Sequence, residues 1–225
     1  IRSETAGRRQ SFQQMTTAEQ QVDGSGGPAA RDGTAPDIAV VIPVKDEAGN
    51  IGALLDEIAR ELATLRFEVV CVDDGSTDAT PQELSAAQDR YAWLTVVRHH
   101  ASCGQSTATL SGVRAARAEW AVTMDGDGQN PPGEILKLVA ARDAAANDIA
   151  MVAGQREKRH DSWFRRLSSR IANGVRQKLL NDGIRDTGCS LKLFRRQTFL
   201  ELPYFDHMHR FLPALGQRHG GKVIT

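Results

Sequence analysis

The run TMDGDGQNPP (123–132) carries the strongest chemical signal in the chain. Asp125 and Asp127 flank a glycine directly after the apolar stretch EWAVTM (119–124). Two carboxylates this close repel each other unless a cation lies between them. Hard divalent cations take oxygen ligands, and Mg²⁺ commonly sits on one or two carboxylates plus the phosphates of a substrate. Gln129 can add an amide oxygen. A lone DxD is common in surface turns and is then inert. Its place after a buried strand is what makes Asp125, Asp127 and Gln129 a candidate site for Mg²⁺ or Mn²⁺. Two further polar clusters also end apolar runs. VVIPVKDE (40–47) closes on Asp46 and Glu47, and VDDGSTD (72–78) places Asp73 and Asp74 before a tight Gly-Ser turn. Glu47, Asp46 and either Asp73 or Asp74 can accept hydrogen bonds from a nucleobase or ribose. Asp78 reads as a helix cap.

These clusters need a scaffold that brings them together, and the apolar periodicity supplies one. IAVVIP (38–43) is a buried-strand run, and Ile51, Leu54, Leu55, Ile58 and Leu62 then recur at helical spacing. The alternation continues with strands at 67–74, 93–99, 119–127 and 148–154. Helices are expected from Pro81 to about Arg90, from about Gln105 to Arg117, and from Pro131–Pro132 to about Ala146. Such β-α-β-α order predicts an α/β fold with a mostly parallel, Rossmann-like sheet and helices on both faces. Ligands of open α/β sheets sit at the carboxyl ends of the strands, where all three polar clusters fall. After Gln155 the pattern is mainly helical, with one strand at CSLKLFRR (189–196).

Composition agrees with one domain. Hydrophobic residues make up 40% of the 225, charged residues 25%, and the net charge is zero, which gives no ground for a nucleic-acid partner. Residues 1–36 are rich in Gly, Gln, Ser and Thr and are expected to be disordered, leaving 37–225 as the folded unit. Three cysteines without a CxxC pair suit free thiols in a reducing compartment. No apolar run approaches the roughly 18 residues of a membrane span. The chain opens on Ile1 and stops at Thr225 within a strand-like run, which predicts a fragment with room for a membrane segment after Thr225.

Taken in order and with their spacing, the three motifs resemble glycosyltransferase family 2, over about residues 38–225. The third resembles the DxDxQ of the polyprenyl-phosphate branch, which includes dolichyl-phosphate mannosyltransferase and bacterial undecaprenyl-phosphate sugar transferases. The resemblance implies a GT-A fold and transfer of a sugar from a nucleotide-sugar to a polyprenyl or dolichyl phosphate, with inversion at the sugar. It assigns Pro43, Glu47 and Asp73 or Asp74 to the nucleotide site, and Asp125, Asp127 and Gln129 to the metal. GQREKR (154–159), DSWFRRLSSRIAN (161–173) and DTGCSLKLFRR (186–196) follow the same branch. On that match Arg156 and Arg165 hold the acceptor phosphate with Ser169. Lys192 holds the donor diphosphate where the branch often has Arg, so a bidentate contact becomes a point charge.

The residues between 156 and 180 support a phosphate-bearing lipid independently. Eight Lys and Arg stand between Arg156 and Lys178, against Glu157 and Asp161. Trp163, Phe164, Leu167, Ile171, Val175 and Leu179 recur at helical spacing. A basic amphipathic helix with aromatics at one end suits a membrane surface. A domain helix with solvated arginines fits the same pattern. The expected place is therefore cytoplasmic and peripheral, at the inner face of the membrane. Absent motifs exclude other enzymes: VKDEAGN stands where a dinucleotide fold needs GxGxxG, and no P-loop is present. Two alternatives stay open. One is a transferase acting on a sugar or protein hydroxyl, for which Asp186 is the candidate carboxylate. The other is a non-catalytic nucleotide-sugar-binding module. HMHRFLP (207–213) stands outside the resemblance, and His209 and Arg210 either contact a ligand or cap a helix.

Overall fold

The computed structural model describes residues 35–145, 149–154 and 189–225. Within them the chain runs β1 (Ile38–Val44), α1 (Ile51–Glu61), β2 (Phe67–Asp73), α2 (Thr80–Arg90), β3 (Leu94–Arg98), α3 (Gln105–Ala115), β4 (Trp120–Thr123), α4 (Glu134–Ala144), β5 (Ile149–Ala153), β6 (Lys192–Arg195), α5 (Arg196–Glu201), a 3-10 turn (Met208–Arg210), α6 (Leu212–Arg218) and β7 (Lys222–Ile224). The strands form one sheet of order β3-β2-β1-β4-β6-β5-β7.

Strand alternation sends successive side chains of β1 into two separate cores. Ile38, Val40, Ile42 and Val44 join Leu54, Leu55, Ile58, Leu84, Ile135 and Leu138 on the face covered by α1, α2 and α4. Ala39 and Val41 join Ala108, Val113, Phe199 and Leu212 on the face covered by α3, α5 and α6. A strand covered on both faces needs an unbroken apolar run, which is why IAVVIPV and FEVVCV read as they do. Helices on both faces of a mostly parallel sheet constitute the expected α/β architecture.

The strand at 189–196 departs from the parallel rule. β6 pairs antiparallel with β4, Thr123 opposite Lys192, and antiparallel with β5, Ala153 opposite Lys192. Side-chain alternation has the same period in either direction, so it does not encode which way a strand runs. The other observed pairs, β1–β2, β1–β4, β2–β3 and β5–β7, are parallel.

The sheet order places a switch point at the carboxyl end of β1. From β1 the chain goes to β2 on one side, while β4 lies on the other. β1 and β4 stay paired only as far as Val41 and Thr123, plus one bond from the Met124 N–H to the Val41 carbonyl at 3.1 Å. Pro43, which has no N–H to give, stands just past that point, still in register with Val72 of β2. There the two strands part and leave a crevice, the usual ligand position in open α/β sheets.

Candidate active site

The crevice is an open cleft of about 440 Å³ lined by residues from three strand ends and one helix start. Pro43, Val44, Lys45 and Glu47 come from the end of β1. Asp125, Gly126 and Asp127 come from the end of β4. Asp74 follows β2, and Ser102, Gly104 and Gln105 lead into α3. Three motifs up to 84 positions apart in the chain thus meet on one sheet edge, as parallel topology requires.

Asp125 and Asp127 meet the chemistry of a cation site. Asp125 Oδ1 accepts a bond from Gln105 Nε2 at 3.1 Å, and Asp127 Oδ1 accepts the Gln129 backbone N–H at 3.0 Å. Both donors are neutral. Among the described residues neither carboxylate forms an ion pair with a Lys, Arg or His, and Lys45 is the one basic residue of the cleft lining. That donor set fits a hard divalent ion. Gln129 contributes its backbone to the turn, and its side chain is exposed, outside the cleft lining. Gly126 between the acids is packed hard against β1: a Cβ there would lie 2.6 Å from Val44 Cγ1. A side chain at 126 would push both carboxylates off the cleft wall.

Glu47 faces the cleft with one oxygen, Oε2, accepting from Asn50 Nδ2 at 2.9 Å. Its loop is stapled to the start of α2. The Asp46 N–H donates to Ser76 Oγ (2.9 Å), the Glu47 N–H to Thr80 Oγ1 (2.8 Å) and the Ala48 N–H to Asp78 (3.1 Å). Asp46 itself accepts the Thr77 N–H at 2.8 Å and is occupied holding this loop. Asp78 accepts the Thr80 N–H at 2.9 Å from the residue before the N-cap, Ala79, so it ties the turn ahead of α2 and is not the helix cap read from the sequence.

The acid that ends β2 and the one that follows it divide their work. Asp74 is buried and its carboxylate takes four bonds: from His99 Nδ1 (2.8 Å), Ser102 Oγ (2.9 Å), the Cys103 N–H (2.8 Å) and the Gly104 N–H (2.9 Å). Burial pushes this carboxyl up, but the bonds from Cys103, His99, Gly104 and Ser102 outweigh it and hold the group below its ordinary value. Asp74, His99 and Cys103 also bring their ligating atoms within 4.8 Å of one another. With both Asp74 oxygens doubly bonded and His99 Nε2 on Ser111 Oγ at 2.9 Å, this is a hydrogen-bond knot that fixes the 99–104 loop. Burial and then the Asp74 charge raise the Cys103 thiol, which disfavours its thiolate. Asp73 is fully buried. Its Oδ1 accepts the Ser76 N–H at 2.8 Å, while Oδ2 has only Arg98 Nε at 3.1 Å, out of line for a hydrogen bond. Gly75 lets the chain pass between the two acids and the loop. It has φ +70°, and a Cβ would meet the Ala101 and Ser102 backbone at 2.7 Å.

Lys192 is buried at the start of β6, beside Thr123, and its Nζ donates to the Cys189 carbonyl. It is not among the cleft-lining residues. Arg156, Arg165, Ser169 and Asp186 lie outside the described residues. Sequence reasoning missed Gln105, Ser102 and Gly104. Their only local signal is a glycine before a helix start just after β3, because their function depends on contacts with β2 and β4.

His209 ties HMHRFLP to α3 by a hydrogen bond, beside the core contacts of Met208 and Leu212. Its Nδ1 lies 2.8 Å from Ser106 Oγ on α3. Burial first, then the charges of Arg210, Lys192 and His207, push its imidazole down to about 4 from 6.5. The unfolded chain therefore binds this proton first as pH falls. His209's share of stability is whole above pH 6.5, is lost between pH 6.5 and about 4, and is flat below. Urea unfolding at pH 7.5, 6 and 5 should show that loss, and His209→Asn should flatten it. Equal pH slopes in the two proteins would refute the assignment.

Known proteins resemble this chain in sequence and in fold. The model of glycosyl transferase family 2 matches residues 39–202. The undecaprenyl-phosphate 4-deoxy-4-formamido-L-arabinose transferase of Edwardsiella ictaluri is 32% identical over 190 residues, covering 83% of this chain and 58% of that protein. The dodecaprenyl-phosphate galacturonate synthase of Rhizobium johnstonii is 32% identical over 182 residues, covering 79% and 53%. The chain thus spans little more than half the length of these relatives. Among solved structures, a Pyrobaculum calidifontis mannosyltransferase in complex with GDP-mannose and Mn²⁺ superposes with a TM-score of 0.60 at 22% identity, covering 95% of this chain and 60% of that one. Glucosyl-3-phosphoglycerate synthase from Mycobacterium tuberculosis, with Mn²⁺, UDP and phosphoglyceric acid, gives 0.65 at 19%, covering 87% and 69%. At these identities the superpositions speak for the GT-A fold alone. The sequence matches go further, and with strand-end acids gathered at one switch point they carry the assignment: this chain belongs to glycosyl transferase family 2.

Proposed function

We propose that this chain is the catalytic part of a metal-dependent, inverting glycosyltransferase that moves a sugar from GDP-mannose or a UDP-sugar to a polyprenyl or dolichyl phosphate. The observation that carries the reading is the pair Asp125 and Asp127, facing the switch-point cleft without a cationic partner among the described residues. The choice of a lipid phosphate as acceptor is supported by the relatives named for undecaprenyl and dodecaprenyl phosphate.

Asp125 and Asp127, with Gln129 beside them, would hold Mg²⁺ or Mn²⁺. The bound ion supplies Lewis-acid stabilisation of the departing nucleoside diphosphate. The chain's own groups do the rest. Glu47 accepts hydrogen bonds from the donor's base or ribose, and Pro43 shapes the wall against which that part lies. Asp73 sits beneath with one buried oxygen lacking an aligned donor, while Asp74 holds the 99–104 loop that closes the other side. Lys192, the residue that the resemblance assigns to the diphosphate, is buried outside the cleft lining with Nζ on the Cys189 carbonyl, and would have to turn toward the cleft to act as its point charge. The attacking oxygen belongs to the lipid phosphate and is ionised at neutral pH, so no strong general base is needed. It has to be oriented instead, a task suited to Arg156 and Arg165 with Ser169, because guanidinium pairs with phosphate in bidentate fashion. The basic stretch 162–180 would bring this end to the membrane surface, at the cytoplasmic face. No helix among the described residues is long and apolar enough to cross a membrane.

The test is transfer from GDP-mannose, UDP-glucose and related donors to a short, water-soluble polyprenyl phosphate, with and without chelator. One donor should give a polyprenyl-phosphate sugar of inverted configuration, and chelator should stop the reaction. Arg165→Lys should slow transfer while donor affinity holds, and Arg165→Ala should slow it further. Transfer to sugar hydroxyls but not to the lipid phosphate would overturn the acceptor. Nucleotide binding without turnover on any acceptor would overturn the enzyme.

A further inference from the structure

Gln105 holds one of the two candidate metal carboxylates, and its own place is fixed by a distant stretch of chain. It opens α3, lines the cleft, and gives Nε2 to Asp125 Oδ1 at 3.1 Å. A neutral donor on one oxygen fixes the orientation of the carboxylate without cancelling the charge a cation needs, and it leaves Oδ2 for the ion. The next two residues are buried and tied to the segment after α5. Ser106 Oγ meets His209 Nδ1 at 2.8 Å, and Thr107 Oγ1 meets the Tyr204 hydroxyl at 2.6 Å. Thr107 Oγ1 also donates to the Cys103 carbonyl at 2.8 Å, and the Tyr204 hydroxyl also reaches Asp206 Oδ1 at 3.3 Å. The His209 N–H also approaches Ser106 Oγ, at 3.5 Å, so the serine meets both the backbone and the ring of His209. From the opposite side Asp74 grips the Cys103 and Gly104 N–H groups. The first turn of α3 is thus clamped between the end of β2 and the 203–211 segment.

We propose that Gln105 is a positioning residue for the Asp125 carboxylate, and that His209 and Tyr204, through Ser106 and Thr107, set where Gln105 stands. Cation affinity then depends on the 203–211 segment, although none of its residues lines the cleft. Partners behind a metal ligand fix its orientation, and their loss typically costs about 10–100-fold in affinity or activity. The inference rests on the proposed metal role of Asp125.

The experiment measures Mn²⁺ binding to the 225-residue chain with UDP or GDP present, by the electron paramagnetic resonance of free Mn²⁺, alongside nucleotide affinity in chelator. Gln105→Leu should weaken Mn²⁺ binding by about 10-fold, with nucleotide affinity in chelator and the melting temperature held. Gln105 is exposed, so the change leaves the core intact, and Gln105→Ala serves as a second variant. His209→Ala should weaken Mn²⁺ binding in the same direction by less, and His209→Asn, whose amide oxygen can accept the Ser106 hydroxyl, should restore it. Unchanged Mn²⁺ affinity in Gln105→Leu overturns the role of Gln105. Unchanged affinity in His209→Ala overturns the link to the 203–211 segment. An equal fall in chelator means a merely structural effect and overturns both. Absence of Mn²⁺ binding in the unsubstituted chain overturns the metal reading itself.

Discussion

Asp127→Asn should lower sugar transfer by at least about 100-fold, the upper end of the losses seen when a mere outer partner of a metal ligand is removed. The substitution takes away a full ligand charge where Mg²⁺ or Mn²⁺ depends on one or two carboxylates. It leaves the fold alone for two reasons. Asp127 is exposed, and the bond it makes within the protein, accepted from the Gln129 N–H at 3.0 Å, can pass unchanged to the Asn amide oxygen. A melt followed by circular dichroism should therefore superpose on that of the unsubstituted chain. Chelator should abolish activity in the unsubstituted chain, and Mg²⁺ or Mn²⁺ should restore it. Full activity in chelator, or an Asp127→Asn protein as active as its parent, would remove the metal from the mechanism.

Asp74→Ala should act the other way, on stability first. Its four donors are His99 Nδ1, Ser102 Oγ and the N–H groups of Cys103 and Gly104, all within 2.9 Å. Removing a buried acceptor leaves its partners to bear their desolvation alone. Leaving a buried donor unsatisfied typically costs about 1–3 kcal/mol. Asp74→Asn should fall between, because an amide keeps one accepting oxygen but turns an NH₂ toward N–H donors. Denaturant unfolding measures both. The pH dependence supplies a second check. Asp74's folded pKa lies below its ordinary 3.8, so its contribution is whole above that value and is lost as pH falls through the lower, folded pKa. That acid-range loss should be missing in Asp74→Ala, while the His209 loss between pH 6.5 and about 4 remains. An Asp74→Ala protein of parental stability would mean that the 99–104 loop is held by something else. Nucleotide binding should weaken along with stability, since Ser102 and Gly104, which Asp74 holds, line the cleft.

What the sequence by itself determined were the properties carried by local period and by strand ends. Ile38 to Val44 had to be a buried strand because seven residues in a row offer no polar face. Ile51, Leu54, Leu55 and Ile58 had to face the core because their spacing closes one side of a helix, and all four are buried. Parallel topology then forced Glu47, Asp74 and Asp125 with Asp127 to one edge, which made the cleft legible in the sequence. The tertiary structure decided how each of those acids is used. Asp74 and Asp73 are neighbours of identical type, yet one is saturated by a loop 25–30 positions away and the other keeps a buried oxygen without an aligned donor. The direction of β6 was hidden because alternation is blind to polarity. Gln105 was hidden because its meaning lies in a bond to Asp125, 20 positions on, and in a helix turn held by His209, 103 positions from Ser106. Periodicity is a property of neighbours in the chain. Which hydrogen-bonding groups are spent and which are left for a ligand depends on neighbours in space, and those exist only once the sheet has closed its order.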